Sequence, residues 1–148
     1  VREGGQVFFV DHHTPTNQVI SVAGQTGEFA PLHCTAHGKA LLADFDRKAL
    51  KGLFEGVPLR AYTRTTITSL TTLGRVCDRV RTDGFALDDA EYIEELRCIA
   101  APIRDQHGEI VASVGISSPV TRLHSKRIGE APAEVVAAAR VISKSLAG

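Results

Sequence analysis

Two runs of β-branched and aromatic residues lie near the start of the chain, at residues 6–10 and 17–23, and a segment containing Pro15 separates them. Such runs are typical of strands, and the short separation predicts an antiparallel pair. A further extended segment is predicted at residues 28–33. Pro31 is expected at a sheet edge there, because proline has no N–H to donate to a neighbouring strand.

Apolar residues at helical spacing predict four helices. The first is capped by Thr35 and ends near Phe45, and a short second helix covers residues 46–54. The third ends at Gly84, and the fourth begins at Pro132, a residue favoured in the first helical turn. The apolar stripe of the third helix comprises Leu70, Leu73, Val76, Cys77 and Val80, and that of the fourth comprises Val135, Ala139, Ile142 and Leu146.

After a strand predicted at residues 85–93, a hairpin is expected at residues 97–117, around a four-residue turn that ends in Gly108. Closing this turn with Arg104 opposite Glu109 places Cys98 opposite Gly115. The side chains of Ser113 and Ser117 are then expected on the Cys98 face of the sheet. The other face is expected to be the apolar core side and carries Ile110, Ala112, Val114 and Ile116.

These elements predict an α/β or α+β domain, a mostly antiparallel sheet of about six strands with helices packed on it. A chain of 148 residues is long enough for one domain with a real core. We therefore treat residues 1–148 as a single folding unit.

Composition narrows the functional classes. The 17 basic and 17 acidic residues balance, and no basic run indicates direct contact with DNA. No apolar run approaches the roughly 18 residues of a membrane span, so no membrane partner is expected. Three cysteines without a CxxC spacing favour a reducing cytoplasm over a disulfide framework. Because the chain contains no Met, we expect a further segment upstream of residue 1.

A candidate site for a small anion combines three parts: the backbone amides of Ala36 and His37, the Cys98 thiol with Ser117, and Asp88. The first turn of a helix presents N–H groups without intrahelical partners, which suits a carboxylate. Gly115 is expected to leave room for the ligand, and Ser113 lies on the same face. Apolar walls are expected from Leu32, Leu41 and Leu96.

Other interpretations of the same residues stay open. Cys98 is also typical of a small buried apolar residue, and Asp88 of a turn or capping residue. A metal site of His33, Cys34, His37 and Cys98 can be drawn, although its spacing matches no known zinc signature. A nucleophilic triad of Cys98, His37 and Asp88 can be drawn as well, but a cysteine in mid-strand is not activated as a thiolate.

Two ordered motifs resemble those of the IclR-type transcriptional regulators. Residues 31–43, PLHCTAHGKALLA, closely resemble the family signature PLHxTAxGKALLA. The second signature is matched by residues 79–89, by Glu91 and by residues 97–103. It continues through Asp105, Gly108, residues 116–119 and Arg122.

The resemblance implies a GAF-like effector-binding domain, with an N-terminal winged helix-turn-helix DNA-binding domain that this chain does not contain. It implies a small organic acid as effector, self-association as a dimer or tetramer, and DNA contact only through the missing domain. No enzyme activity, cofactor or metal is implied. The family positions that contact the effector match Ala36, His37, Asp88, Cys98, Gly115 and Ser117. A GAF-like sensor of a nucleotide, metal or redox state is the alternative, and a cysteine-dependent enzyme a more distant one.

Three positions depart from the family pattern. Gly115 stands where the family often has Ser, His37 where it usually has an apolar or small residue, and Glu95 where it normally has Gly. Glu95 would be strained if that position required a positive φ. These departures lead us to expect an effector larger than pyruvate or glyoxylate.

Overall fold

Six strands and four helices make up the described part of this computed structural model, residues 1–16 and 24–148. The predicted strand at residues 17–23 lies outside the described residues. The strands are β1 (Arg2–Glu3), β2 (Gln6–Phe8), β3 (Phe29–Pro31), β4 (Ala86–Asp89), β5 (Leu96–Arg104) and β6 (Ile110–Pro119). The helices are α1 (Ala36–Leu41), α2 (Arg47–Leu53), α3 (Leu70–Asp83) and α4 (Ser125–Leu146).

The strands fall into two antiparallel sheets of three, β1-β2-β3 and β4-β5-β6. The α+β interpretation is therefore confirmed. The strands of the described residues form two sheets of three, however, and not one sheet of about six. Strands β2 and β3 pair directly, with Val7 opposite Ala30. Strand β5 is the central strand of the second sheet and pairs with both β4 and β6.

The register of the β5-β6 hairpin differs from the predicted one by two residues. Cys98 pairs with Ser117, and Ala100 pairs with Gly115. The turn closes with Arg104 opposite Ile110, and a bulge beside Arg104 inserts one more residue into β6. Because side chains alternate with a period of two, this double shift leaves Cys98, Ser113 and Ser117 on the predicted common face.

The same bulge turns Ile110 away from the face on which it was predicted. Ile110 packs against the core that contains Leu41 of α1, whereas Ala112 and Val114 pack against α4. The prediction of one apolar and one polar face was also wrong for β5. Ala100 is fully buried against α1, and Ile99 is fully buried against α4, so both faces of this strand belong to the core.

Local signals located three helix ends correctly. The Thr35 hydroxyl accepts a hydrogen bond from the Gly38 amide at 3.0 Å, which confirms the predicted cap of α1, although α1 ends at Leu41. Asp46 caps α2 in the same way. Gly84 ends α3 in the left-handed conformation, with a φ of 84°.

The predicted start of α4 at Pro132 was wrong, because the helix begins at Ser125 and carries Pro132 inside. A proline in a helix interior costs about 3 kcal/mol. Ala131 and Val135 on either side of it are buried against β5, and this packing outweighs the cost. Across the described residues, the structure contains no helix of the length and apolarity needed to span a membrane.

Candidate functional site

An inner cavity of about 60 Å³ lies between the start of α1, the edge strand β3 and the pair β4-β5. One water molecule needs about 10–15 Å³ by the same measure, so the cavity accommodates a small ligand group. Its polar lining comes from Glu28, Thr35, His37, Asp88, Tyr92, Cys98 and Ser117. Its other lining residues are Phe9, Gly24, Phe29, Ala30, Ala36, Ile93 and Leu96.

The first turn of α1 forms one wall of the inner cavity. Thr35 fixes this turn by donating its hydroxyl to the Pro31 carbonyl at 2.6 Å while accepting from Gly38. A side chain at position 38 would collide with the backbone of Leu32, so glycine allows the close approach of the two segments. The predicted site residues Ala36 and His37 therefore line the cavity at the amino end of the helix.

Asp88 forms part of the opposite wall and is only 3% exposed. Its carboxylate accepts a hydrogen bond from the Glu91 amide at 2.7 Å. Burial raises the pKa of Asp88 to about 6, against a usual value of 3.8. The carboxyl group therefore changes its protonation near pH 6, so it accepts hydrogen bonds when ionised and donates one when protonated.

A buried ion pair lies behind this wall and was missed by sequence reasoning. Lys39 donates to Glu91 Oε1 at 2.5 Å and to the Leu87 carbonyl, and its side chain is 1% exposed. The other carboxylate oxygen of Glu91 has no hydrogen-bond partner among the described residues. The sequence signal was a lysine within the apolar segment of α1, but nothing local identified Glu91 as its partner.

Cys98 and Ser117 face each other across β5 and β6. The Ser117 hydroxyl donates to the Cys98 sulfur at 3.0 Å. Burial raises the pKa of Cys98 to about 12, so the group is a neutral thiol at physiological pH. The alternative nucleophilic triad is not assembled, because the His37 ring is hydrogen bonded to Ser113 rather than to Cys98.

A larger outer cleft of about 410 Å³ adjoins the inner cavity. His37 lines both spaces, together with Phe9, Gly24 and Ser117. The Nδ1 atom of His37 lies 3.0 Å from the Ser113 hydroxyl oxygen, and the His37 ring meets the Phe9 ring edge to face. Ser113 and Gly115 line the outer cleft rather than the inner cavity.

Some predicted site residues take other positions. Leu96 lines the inner cavity, but Leu32 and Leu41 are buried in the core and contribute to neither lining. The room expected at Gly115 is not free, because a side chain there would collide with the Ile99 carbonyl and with Ala100. Glu95 is exposed and lacks a positive φ, so its backbone is not strained.

The alternative metal site does not assemble. Instead of facing Cys98, His33 makes a hydrogen bond through Nε2 to the Arg60 carbonyl. Cys34 is fully buried, and burial raises its pKa to about 12. In residues 1–16 and 24–148, no cluster of three or more His, Cys, Asp or Glu side chains has a geometry that could hold a metal ion.

Several lining residues were not predicted as site residues, notably Phe9, Tyr92 and Ile93. Phe9 follows β2, where its apolar character predicted only a strand. Tyr92 and Ile93 follow Ala90, the sole described non-glycine residue with a positive φ, at 56°. The Thr63 and Thr65 hydroxyls donate to the Ala90 carbonyl, which anchors this segment beside the cavity.

Comparisons with known proteins place most of the chain in one family. Residues 1–144 match the family described as bacterial transcriptional regulator IclR C-terminal. Over 127 residues the chain is 42% identical to the HTH-type transcriptional regulator KdgR of Escherichia coli strain K12, covering 86% of this chain and 48% of that protein. It is 32% identical to the transcriptional repressor IclR of the same organism, covering 88% and 47%. The chain thus spans about half the length of these curated relatives.

Solved structures show the same fold. The C-terminal domain of E. coli KdgR superimposes with a TM-score of 0.82 and 35% identity, covering 99% of this chain and 84% of that one. The Thermotoga maritima IclR structure gives a TM-score of 0.89 and 30% identity, covering 99% and 60%. The GAF-like α+β architecture expected from the sequence is confirmed by this likeness.

Proposed function

The chain belongs to the IclR family of bacterial transcriptional regulators, and on this premise we propose that it is a ligand-sensing domain that binds a small organic acid in the inner cavity. The supporting observation is the convergence of the α1 start with Asp88, Cys98 and Ser117 around one cavity. These groups come from four different elements, α1, β4, β5 and β6. Ala36 and His37 complete the proposed effector contacts on the α1 side.

The cavity offers hydrogen-bond donors to the oxygens of an acid. Backbone N–H groups at the start of α1 supply donors for carboxylate or keto oxygens, and so does the Ser117 hydroxyl when it turns from the Cys98 sulfur to the ligand. The protonated form of Asp88 is a further donor, and its raised pKa makes that form accessible near pH 6. Ala30, Ile93 and Leu96 supply apolar walls, as is usual in small-molecule sites.

Effector binding is proposed to change how DNA-binding domains are placed in a dimer or tetramer. In this proposal a winged helix-turn-helix domain lies N-terminal to the chain and makes the contact with DNA in the bacterial cytoplasm. The effector must bind one arrangement more tightly than the other, because a ligand with equal affinity for both shifts nothing. The balanced charge of the chain agrees with contact to DNA through another domain.

The test is a thermal-shift titration with pyruvate, benzoate and gluconate, which represent keto, aromatic and sugar acids. A ligand at about a hundred times its Kd raises the free energy of unfolding by about 2.7 kcal/mol. Ser117→Ala and Cys98→Ala are expected to weaken this stabilisation. Ser118→Ala is the matched control, because Ser118 is the next residue of β6 and points to the opposite face.

Stabilisation by at least one acid that Ser117→Ala reduces and Ser118→Ala retains would support the proposal. If no acid stabilises the protein, or if both serine variants respond as the parent does, the inner cavity is not an acid-binding site.

A further inference from the structure

Three threonines of the loop between α2 and α3 hold the segment that follows β4. Thr63 and Thr65 donate their hydroxyls to the Ala90 carbonyl at 2.7 and 2.8 Å, and Thr66 donates to the Glu91 carbonyl at 2.6 Å. The partners are 25–27 positions apart in the chain. The three threonines lie outside the linings of both the inner cavity and the outer cleft, so their hydroxyls serve this segment rather than a ligand.

The peptide group that joins Ala90 to Glu91 is held at both of its polar ends. Its carbonyl accepts from Thr63 and Thr65, and its N–H donates to Asp88 Oδ1 at 2.7 Å. The C=O and N–H bonds of a trans peptide are fixed in one plane and point in opposite directions. Fixing the carbonyl on the threonine side therefore aims the N–H at Asp88, on the cavity side.

The next peptide group, between Glu91 and Tyr92, repeats this arrangement. Its carbonyl accepts from Thr66. Burial raises the pKa of Asp88, and hydrogen bonds from the Glu91 and Tyr92 amides oppose this rise. Successive N–H groups that point to one side of a turn form a concave site for an anion, and here the anion is the Asp88 carboxylate.

This turn needs support from outside, because Ala90 has a φ of 56°. An L-residue with a side chain is strained in the left-handed conformation, so other contacts must maintain it. The Ala90 amide donates to the Leu96 carbonyl at 3.1 Å, and the Ala90 carbonyl is held by Thr63 and Thr65. The threonine hydroxyls are thus part of what keeps the strained turn in place.

We propose that Thr63 and Thr65 are positioning residues for Asp88, because their hydroxyls hold the Ala90 carbonyl and so keep the Glu91 N–H on the Asp88 carboxylate. Thr66 supports the same turn from the Glu91 carbonyl. Through these bonds the threonines set the pH at which Asp88 changes from an acceptor to a donor of hydrogen bonds. The consequence for a bound ligand rests on the proposed function, whereas the effect on Asp88 itself does not.

Other groups also influence the ionisation of Asp88. The charged and titratable groups around it are Lys39 and His37 of α1, Glu91 and Tyr92 of the segment after β4, Cys34 before α1, and Cys98 of β5. Both thiols are neutral at physiological pH, because burial raises the pKa of each to about 12. Lys39 and Glu91 are paired with each other. Replacing threonine by valine changes no charge in this set, so a changed ionisation of Asp88 reports the hydrogen bonds.

The test follows the carboxyl carbon signal of Asp88 by NMR as the pH is raised from about 4 to about 8, with Asp88→Asn to assign the signal. Thr63→Val/Thr65→Val removes both hydroxyls and keeps the size and branching of the side chains. Thr63→Ser/Thr65→Ser keeps both hydroxyls and removes only methyl groups. Thr68→Val is the matched control, because Thr68 is an exposed residue of the same loop, outside these hydrogen bonds.

The parent should titrate with a midpoint near pH 6. The midpoint should rise by about one pH unit in the double valine variant, because the ionised form loses a well-placed donor. The double serine variant and Thr68→Val should keep the parent midpoint. The amide proton signal of Glu91, which reports the same hydrogen bond, should shift in the double valine variant only. If that variant does not fold, Thr65→Val alone should raise the midpoint by a smaller amount.

An unchanged midpoint in the folded valine variants, or an equal rise in the double serine variant, would overturn the positioning role. The titration contains no ligand, so its result does not depend on whether an acid binds. A failure of the proposed function would be seen separately, as the absence of stabilisation by any acid in the thermal-shift titration of the parent.

Discussion

The Lys39 ammonium group lies 2.5 Å from a carboxylate oxygen of Glu91, and the two residues are 1% and 8% exposed. The pair joins α1 to the segment after β4, which supply opposite walls of the inner cavity. Burial raises the pKa of Glu91, and the nearby Lys39 ammonium opposes this effect. The ion pair therefore holds the cavity walls together at the expense of desolvating two charged groups.

Replacing one partner of this pair should be strongly destabilising. Lys39→Met leaves a buried carboxylate without its counter-ion, and the free energy of unfolding should fall by about 3–5 kcal/mol. Urea denaturation followed by circular dichroism measures this change. The double variant Lys39→Met/Glu91→Leu should recover most of the loss, because it removes both charges. Additive losses in the double variant would show that the two residues do not act as a pair.

Asp88 should make stability depend on pH in a defined window. Because burial raises its pKa from 3.8 to about 6, the folded protein keeps a proton that the unfolded chain has released. The contribution of Asp88 to stability is therefore greatest below pH 4 and falls as the pH rises to about 6. Asp88→Asn cannot ionise but retains an oxygen for the Glu91 amide.

From pH 4 to pH 7, the free energy of unfolding of Asp88→Asn should rise by about 1–3 kcal/mol relative to that of the parent. Urea unfolding of both proteins at pH 4 and pH 7 gives their free energies of unfolding. Subtracting the value of the parent from that of the variant cancels the contribution of the other titrating groups. A parent and variant with parallel pH profiles would contradict the assigned environment of Asp88.

Two glycines offer a matched test of close packing. A side chain at Gly115 would collide with the Ile99 carbonyl and Ala100, so Gly115→Ala should destabilise the domain by about 1–3 kcal/mol. A side chain at Gly129, in α4, would meet no atom within 4 Å. Gly129→Ala should therefore raise stability, by up to about 1 kcal/mol. Equal effects of the two substitutions in thermal unfolding would refute the β5-β6 register described above.

The cysteines should be unreactive in the folded protein. Burial raises the pKa of Cys34, Cys77 and Cys98 to about 12, 11 and 12, so almost no thiolate is present near pH 7.5. Iodoacetamide labelling followed by mass spectrometry should be slow for all three residues and become fast in urea. Rapid labelling of Cys98 alone would instead favour the cysteine-dependent enzyme considered from the sequence.

Features encoded by neighbouring residues were predictable from the sequence. Thr35 and Gly84 lie at the helix ends they predicted, because an N-cap hydroxyl and a left-handed C-terminal glycine act within a few residues. The family motifs indicated Ala36, Asp88 and Cys98 as site residues, and all three line the inner cavity. The common face of Cys98 and Ser117 was also correct, because the predicted register differed from the observed one by two residues and such a shift keeps side chains on the same face.

Features that depend on distant contacts were not predictable. The bulge beside Arg104 has no local sequence signature, and it shifted the hairpin register. The position of Pro132 inside α4 depends on packing against β5, which overrides the local preference of proline. The Lys39–Glu91 contact spans 52 positions in the chain, and neither residue identifies the other.

The most direct test of the central claim is a ¹⁵N-resolved NMR titration of the domain with gluconate, benzoate and pyruvate. If an organic acid binds in the inner cavity, at least one of them produces saturable shifts of the amide signals of Ala36, His37, Cys98 and Ser117. The amide signals of Val141 and Leu146, on the exposed end of α4, should stay in place. Saturable shifts that occur only in α4, or the absence of saturable shifts with all three acids, would contradict the account.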